Sequence, residues 1–201
     1  MIDKVSFISM EQGTREDYEI VARHDRENAA QLADRVLGWL REMDGESPYQ
    51  ISRLAHCLQT ATRAERDGAD DETVVCALLH DIGDVLAPNN HSAVAADLLA
   101  PFVSARNEWI VRHHGLFQGY YYFHHYGMDR DARDKYRDHE YYDACVDFCA
   151  RWDQVSFDPD YDTLPLEHFA SRVRAPVSYT HLRAHETRYV ISYAVFCLKK
   201  G

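Results

Sequence analysis

No apolar stretch in these 201 residues approaches the ~18 that a membrane-crossing helix requires, so no transmembrane helix and no membrane partner are expected. Met1 to Arg15 has no apolar core of signal-peptide length, which sets the expectation of a cytoplasmic protein. Basic residues are in deficit, 22 Lys and Arg against 33 Asp and Glu, a formal net charge of −11. Phosphate backbones call for basic surfaces, so no nucleic-acid partner is expected. The five cysteines (Cys57, Cys76, Cys145, Cys149, Cys197) form no CxxC motif. In a reducing compartment they read as small core residues. Cys145 and Cys149, one helical turn apart, also have the spacing to share a ligand or a bridge. No internal repeat and no linker divides the chain. Hydrophobic residues make up 46%, which excludes disorder and allows one domain with a real core.

What is present is helical periodicity, and the expected class is all-α, a helical bundle. Asp17 to Met43 carries Leu32, Val36, Leu37, Leu40 and Met43 at spacings of three and four and stops at Gly45. Ile51 to Asp67 repeats the pattern and closes at Gly68. Asp70 or Asp71 caps a helix running to Ile82, and Asn89 or Asn90 caps His91 to Leu99, stopped by Pro101. Ser104 caps a helix that Gly115 is expected to end. Tyr120 to Tyr126 is expected as an aromatic loop, Glu140 to Val155 as a helix, Phe157 to Pro165 as an acidic loop, and Leu166 to Val173 as a last short helix.

The end reads differently. Val177 to Gly201 switches to a β-branched, aromatic run, and its words YTHLRAHET resemble translated sequencing-adapter read-through. It is read as a non-native tail, leaving a single domain over residues 1–176 with its core at about 47–170. Setting it aside removes four basic residues and one acid and takes the formal net charge from −11 to −14. It also sets aside His181, His185 and Glu186, which imitate a helical metal pair.

Metal-ligating side chains recur in a fixed order: His56, His80-Asp81, His91, His113 or His114, and Asp153. His80-Asp81 ends an apolar run (Val74, Val75, Ala77, Leu78, Leu79) and should be buried, where a carboxylate is costly unless it is paired or bound to metal. An aspartate can bridge two cations through its two oxygens, and neutral imidazoles suit iron, zinc and manganese. A lone histidine is more often a surface or hydrogen-bonded residue, and His24, His139 and His168 are placed there. His56 lies on an inward stripe with Ile51 and Ala55. Asp153 alone would be read as a cap or as the partner of Arg151, but it closes the series. His113 and His114 point about 100° apart on a helix, so one of them faces the metals.

The order H…HD…D resembles that of the HD-domain superfamily of helical metalloproteins. With His91 and the following histidine, the chain is similar to the six-ligand, dinuclear branch that includes myo-inositol oxygenase and the phosphonate-cleaving HD oxygenase. The words that carry this are HCLQTA, LLHDIG, RHHGLF and RWDQV, over roughly Ser47 to Phe169. The resemblance selects His114 over His113. It implies one metal held by His56, His80, Asp81 and Asp153 and a second held by Asp81, His91 and His114, with Asp81, His91 and His114 nearest the chemistry. The implied cofactor is a pair of iron ions, Fe(II)/Fe(III), with manganese or another divalent cation as the alternative. The chain departs from the branch at Asp84 and Gln118, where its members carry lysines, and at Glu46-Ser47-Pro48-Tyr49. Substrate identity therefore does not carry over. Arg53 and Arg112 are the nearest cations for a phosphate or phosphonate, although both also read as solvated helix charges.

The run from Gly119 to Tyr126 follows the last histidine. It reads either as a substrate-covering loop or as packing, and His113, Gln118, Tyr120 and Tyr121 are the candidate substrate-binding residues. Three functions follow. The first is a di-iron oxygenase acting with dioxygen on a small polar substrate. The second is an HD-type phosphohydrolase acting on a phosphate ester or nucleotide with the same ligands. The third is a regulator with a degenerate site, whose signature would be a missing ligand, and none is missing.

Overall fold

The computed structural model describes residues 3–184, with side chains through residue 175. Among the described residues the regular structure is helical and contains no strand, as the all-α expectation required. The α-helices are α1 (Arg15–Ala30), α2 (Leu32–Glu42), α3 (Arg53–Arg66), α4 (Asp71–Leu79), α5 (His91–Leu99), α6 (Ala105–Tyr122), α7 (Tyr142–Phe148) and α8 (Leu166–Ala184). Short 3-10 turns link them, and a π-helical turn, Cys149–Asp153, follows α7. No described helix is long and apolar enough to cross a membrane.

The described chain falls into two compact units, one holding the residues through Arg35 and those from Arg174, the other Val36–Val173. In the first, Thr14 and Asp17 cap α1 reciprocally. The Thr14 hydroxyl accepts from the Asp17 amide at 3.2 Å, and the Asp17 carboxylate accepts from the Thr14 amide at 3.0 Å. Asp17 also accepts from the Ser6 amide at 2.7 Å. The single helix expected over Asp17 to Met43 is interrupted at Gln31, whose amide turns back to Asn28 and Ala29.

The second unit is built on helix pairs. α3 packs along α4, α5 along α6, and α6 and α7 lie side by side. They bury Leu78, Phe117 and Phe148, together with Ile82 on the turn after α4 and Phe169 on α8. Ser52, Asp70 and Ser104 each accept a backbone amide at the start of α3, α4 and α6. Gly68 ends α3 with φ +81, a left-handed conformation that a side chain would strain. Glu72 on α4 accepts from Asn107 at 2.7 Å and from the Ser104 amide at 2.8 Å, pinning the start of α6 to α4. That anchor fixes which face of α6 meets the site.

Further sequence expectations change: α4 ends at Leu79 rather than Ile82, and Asn90 precedes α5 without a side-chain cap bond. α6 does not stop at Gly115 but continues to Tyr122. The glycine is there because a β-carbon would come within 2.8 Å of the Ser92 hydroxyl, so it permits close packing of α5 on α6 rather than a stop. Tyr120 and Tyr121 are consequently helical, and only Phe123–Tyr126 leaves the α-helix, as a 3-10 turn. The helix expected over Glu140 to Val155 is shorter and ends in the π turn. α8 runs past Val173 to Ala184. Most of the sequence set aside as a tail, including His185, Glu186 and Cys197, lies outside the described residues, and the side chain of His181 does too.

Candidate metal centre

Four histidines on four elements reach one point in the second unit, and each is oriented the same way. The Nδ1–H of His56 donates to the Ser156 carbonyl at 2.9 Å, that of His80 to Ala77 at 2.8 Å, that of His91 to Pro88 at 3.2 Å, and that of His114 to Val111 at 2.6 Å. A carbonyl only accepts, so each Nδ1 carries the proton and each Nε2 of the neutral ring offers a lone pair. Such a partner on the far nitrogen is the usual way a protein fixes a metal-binding imidazole.

The four Nε2 atoms converge on Asp81, and they divide between its oxygens. Oδ2 faces His56 at 3.6 Å and His80 at 3.5 Å, while Oδ1 faces His91 at 3.3 Å and His114 at 3.1 Å. Asp153 adds a second carboxylate on the first side, with Oδ1 at 3.3 Å from His56 and 3.7 Å from His80. The π turn supplies it. The Gln154 amide bonds the Cys149 carbonyl five residues back, and the wide turn brings Asp153 inward. Three groupings have ligand atoms within 4.8 Å of one another: His56, His80 and Asp81; Asp81, His91 and His114; and His80, His114 and Asp153. The last crosses the division that the resemblance implies.

Three observations test whether these residues fit a metal. First, His56 Nε2 and His80 Nε2 lie 3.1 Å apart, and two lone pairs at that distance repel unless a proton or a cation stands between them. Second, Asp153 Oδ2 is buried with no hydrogen-bond partner. Burial opposes the charge on this carboxylate, but His56 and His80 outweigh it and hold its pKa below the ordinary value. Third, burial likewise opposes a charge on His80, yet Asp81 and Asp153 push its imidazole up to about 9. The cluster therefore calls for positive charge at its centre, and its nitrogen and carboxylate donors suit a divalent transition metal. The residues fit one ion on each side of Asp81.

The surroundings refine the substrate candidates. Gln118 donates from Nε2 to Asp153 Oδ1 at 2.9 Å, while its Oε1 is buried without a partner. Tyr121 lies beside Tyr120, and burial and then Cys149 raise its phenol pKa. Tyr120 carries Arg130 and Arg133 on its ring. His113 does not join the cluster. It stacks on Trp109 at 4.2 Å and bonds the Trp109 carbonyl, because the helix turns it away from His114. Arg112 is held by Asp97 and Glu108 and is not a cation for this site, and Arg53 is paired with Asp84. Cys145 and Cys149 share no bridge. Each buried thiol donates to a carbonyl on α6, Cys149 to that of His114.

Ser156 and Phe157 were not picked out as site residues from the sequence, and Asp84 was noted there only as a departure from the branch. Ser156 is fully buried and orients His56, and Phe157 stacks on the same ring at 4.4 Å. Asp84 lies 3.5 Å from His91 Nδ1 and, with Arg53, lines a cavity of about 320 Å³ that also includes Glu42, Met43, Glu46 and Pro88. The phenol of Tyr122, on the last turn of α6, is raised by burial and then by Tyr49. Ser156 and Phe157 have no sequence signal beyond their nearness to Asp153.

Fold and site together define an all-helical protein whose interior imidazoles and carboxylates can hold metal. The family model for the HD domain matches residues 53–156, just over half of the chain, and the chain belongs to that family. The family is generally one of metal-dependent enzymes, typically phosphohydrolases. No curated protein matches the chain closely enough to serve as a relative.

Proposed function

We propose that the chain is a dinuclear metalloenzyme of the oxygenase kind, using dioxygen to oxidise a small polar substrate at a pair of iron ions. The observation that carries the dinuclear part is the division of Asp81, each of whose oxygens faces its own pair of imidazole nitrogens. One ion would take His56, His80, Asp81 Oδ2 and Asp153, and the other Asp81 Oδ1, His91 and His114. Bound iron supplies dioxygen activation and C–H oxidation, chemistry that side chains lack. His91 is the most exposed of the four histidines, with 28% of its side chain accessible, so the second side is the open one.

The rest of the chain binds and orients. Asp153 fixes the Gln118 amide with its N–H₂ toward the carboxylate, which leaves Oε1 to accept from a substrate hydroxyl. The Tyr121 phenol, raised by burial, stays protonated at neutral pH and can donate. The oxygenase reading is supported by the words around the ligands, HCLQTA, LLHDIG, RHHGLF and RWDQV, which resemble those of the di-iron branch. A second reading, a metal-dependent phosphohydrolase, is favoured by the family itself. The two diverge directly. Protein loaded with ferrous iron should consume oxygen with a panel of polyols and phosphonates and show a mixed-valent electron paramagnetic resonance signal. Phosphate release from nucleotides with manganese, and no oxygen uptake, would transfer the assignment to hydrolysis.

A further inference from the structure

The 3-10 turn Ala132–Tyr136 lies against α6 and carries a guanidinium with two unanswered donors. Arg133 sits 3.9 Å from the centre of the Tyr120 ring and 6.0 Å from that of Phe117. Its Nε and Nη1 are buried, and neither has a hydrogen-bond partner. No ion pair to Arg133 is present among the described residues. The neighbouring Asp134 is engaged by Tyr142 at 2.6 Å and by Arg137. A second guanidinium, Arg130, lies 4.1 Å from the same Tyr120 ring. An aromatic face can hold a guanidinium, but it does not satisfy in-plane N–H donors that have left water. Two cations on one ring, one with unanswered donors, in a chain of net charge −11, mark a place prepared for an anion.

The position is close to the metal centre. His114, Gln118 and Tyr121 follow at intervals of four and three along α6 and therefore share one face, and Phe117 and Tyr120 lie beside it. On that face Gln118 reaches Asp153 at 2.9 Å, and the Tyr121 ring lies 5.4 Å from that of Tyr120. We propose that Arg133, flanked by Arg130 and Tyr120, is an oxyanion-binding site that anchors a carboxylate, phosphate or phosphonate group of the substrate while its other end meets the metal centre. This deepens the function proposed above and rests on it for the second half of the statement. A guanidinium fork suits planar or tetrahedral oxyanions better than an ammonium does, so lysine should substitute poorly.

Inorganic phosphate and acetate are the probes, titrated calorimetrically into the protein as purified and after chelation. At least one should bind with and without metal, and Arg133→Met should weaken it at least tenfold in both states. Arg133→Lys should recover only part of the affinity, and the distant Arg112→Met should leave it unchanged. Should Arg133→Met fail to fold, the arginine Nε–H resonance of Arg133 in the unaltered protein gives an independent readout and should move to saturation with the probe. Binding that survives Arg133→Met, an unmoved resonance, or binding that disappears on chelation would each overturn the site, the last by placing the anion on the metals. Absence of metal uptake by the wild-type chain would instead defeat the metalloenzyme reading, and the two failures are distinguishable.

Discussion

Asp81 is the residue on which the site turns, because its two oxygens serve different imidazole pairs. His80 carries a proton near neutrality when no metal is present, since Asp81 and Asp153 raise it to about 9 against the opposing effect of burial. A metal needs its Nε2 lone pair, so uptake at pH 7.5 should release a proton and should tighten as pH rises toward 9. Calorimetry of metal binding in two buffers of different ionisation enthalpy would measure that proton, and identical heats would show that none leaves. Asp17 gives a separate pH test in the first unit. The Ser6 and Thr14 amides hold its carboxyl down at about 2 from 3.8. A depressed folded pKa contributes stability that is present above 3.8 and is lost as pH falls through about 2. Asp17→Asn should remove this acid dependence, and equal acid unfolding curves for the two proteins would contradict it.

Elements place the ligands, and here the sequence was only partly legible. The apolar run before His80-Asp81 announced a buried pair, and Asp70 and Ser104 announced helix starts through their chemistry, while the Ser52 cap of α3 went unread. Gly115 misled because glycine has two uses, and close approach of α5 to α6 gives no signal that separates it from a helix end. The π turn that delivers Asp153 was hidden because its residues, Cys149–Asp153, suit an ordinary helix equally well. Arg133 and Ser156 were hidden because their importance arises from what lies across from them in space. A β-carbon at Gly83 would meet the backbone of His91, which cannot move without carrying the start of α5 with it. Gly83→Ala should therefore cost about 1–3 kcal/mol and lower occupancy of the His91 side of the centre while sparing the His56 side. Thermal unfolding together with metal content would check this, and full occupancy in a stable variant would count against the packing argument. Ser104→Ala should cost about 1 kcal/mol through the lost cap of α6, measurable by denaturant unfolding.

At the scale of the whole molecule, all six donors fall between Val36 and Val173. We propose that a chain ending at residue 176 keeps its metal, and a shortened protein with lost metal content would oppose the boundary drawn there. Metal binds the folded site and should stabilise it by about 2.7 kcal/mol at a hundredfold excess over its dissociation constant. Chelation should therefore lower the unfolding temperature, and an unchanged temperature would argue that the cluster is occupied only by protons. The most direct measurement is metal stoichiometry by elemental analysis on the wild type and on Asp81→Ala, each loaded anaerobically with ferrous iron and desalted. Two ions per chain are expected in the wild type and fewer than one in the variant. Two ions retained without Asp81 would contradict it.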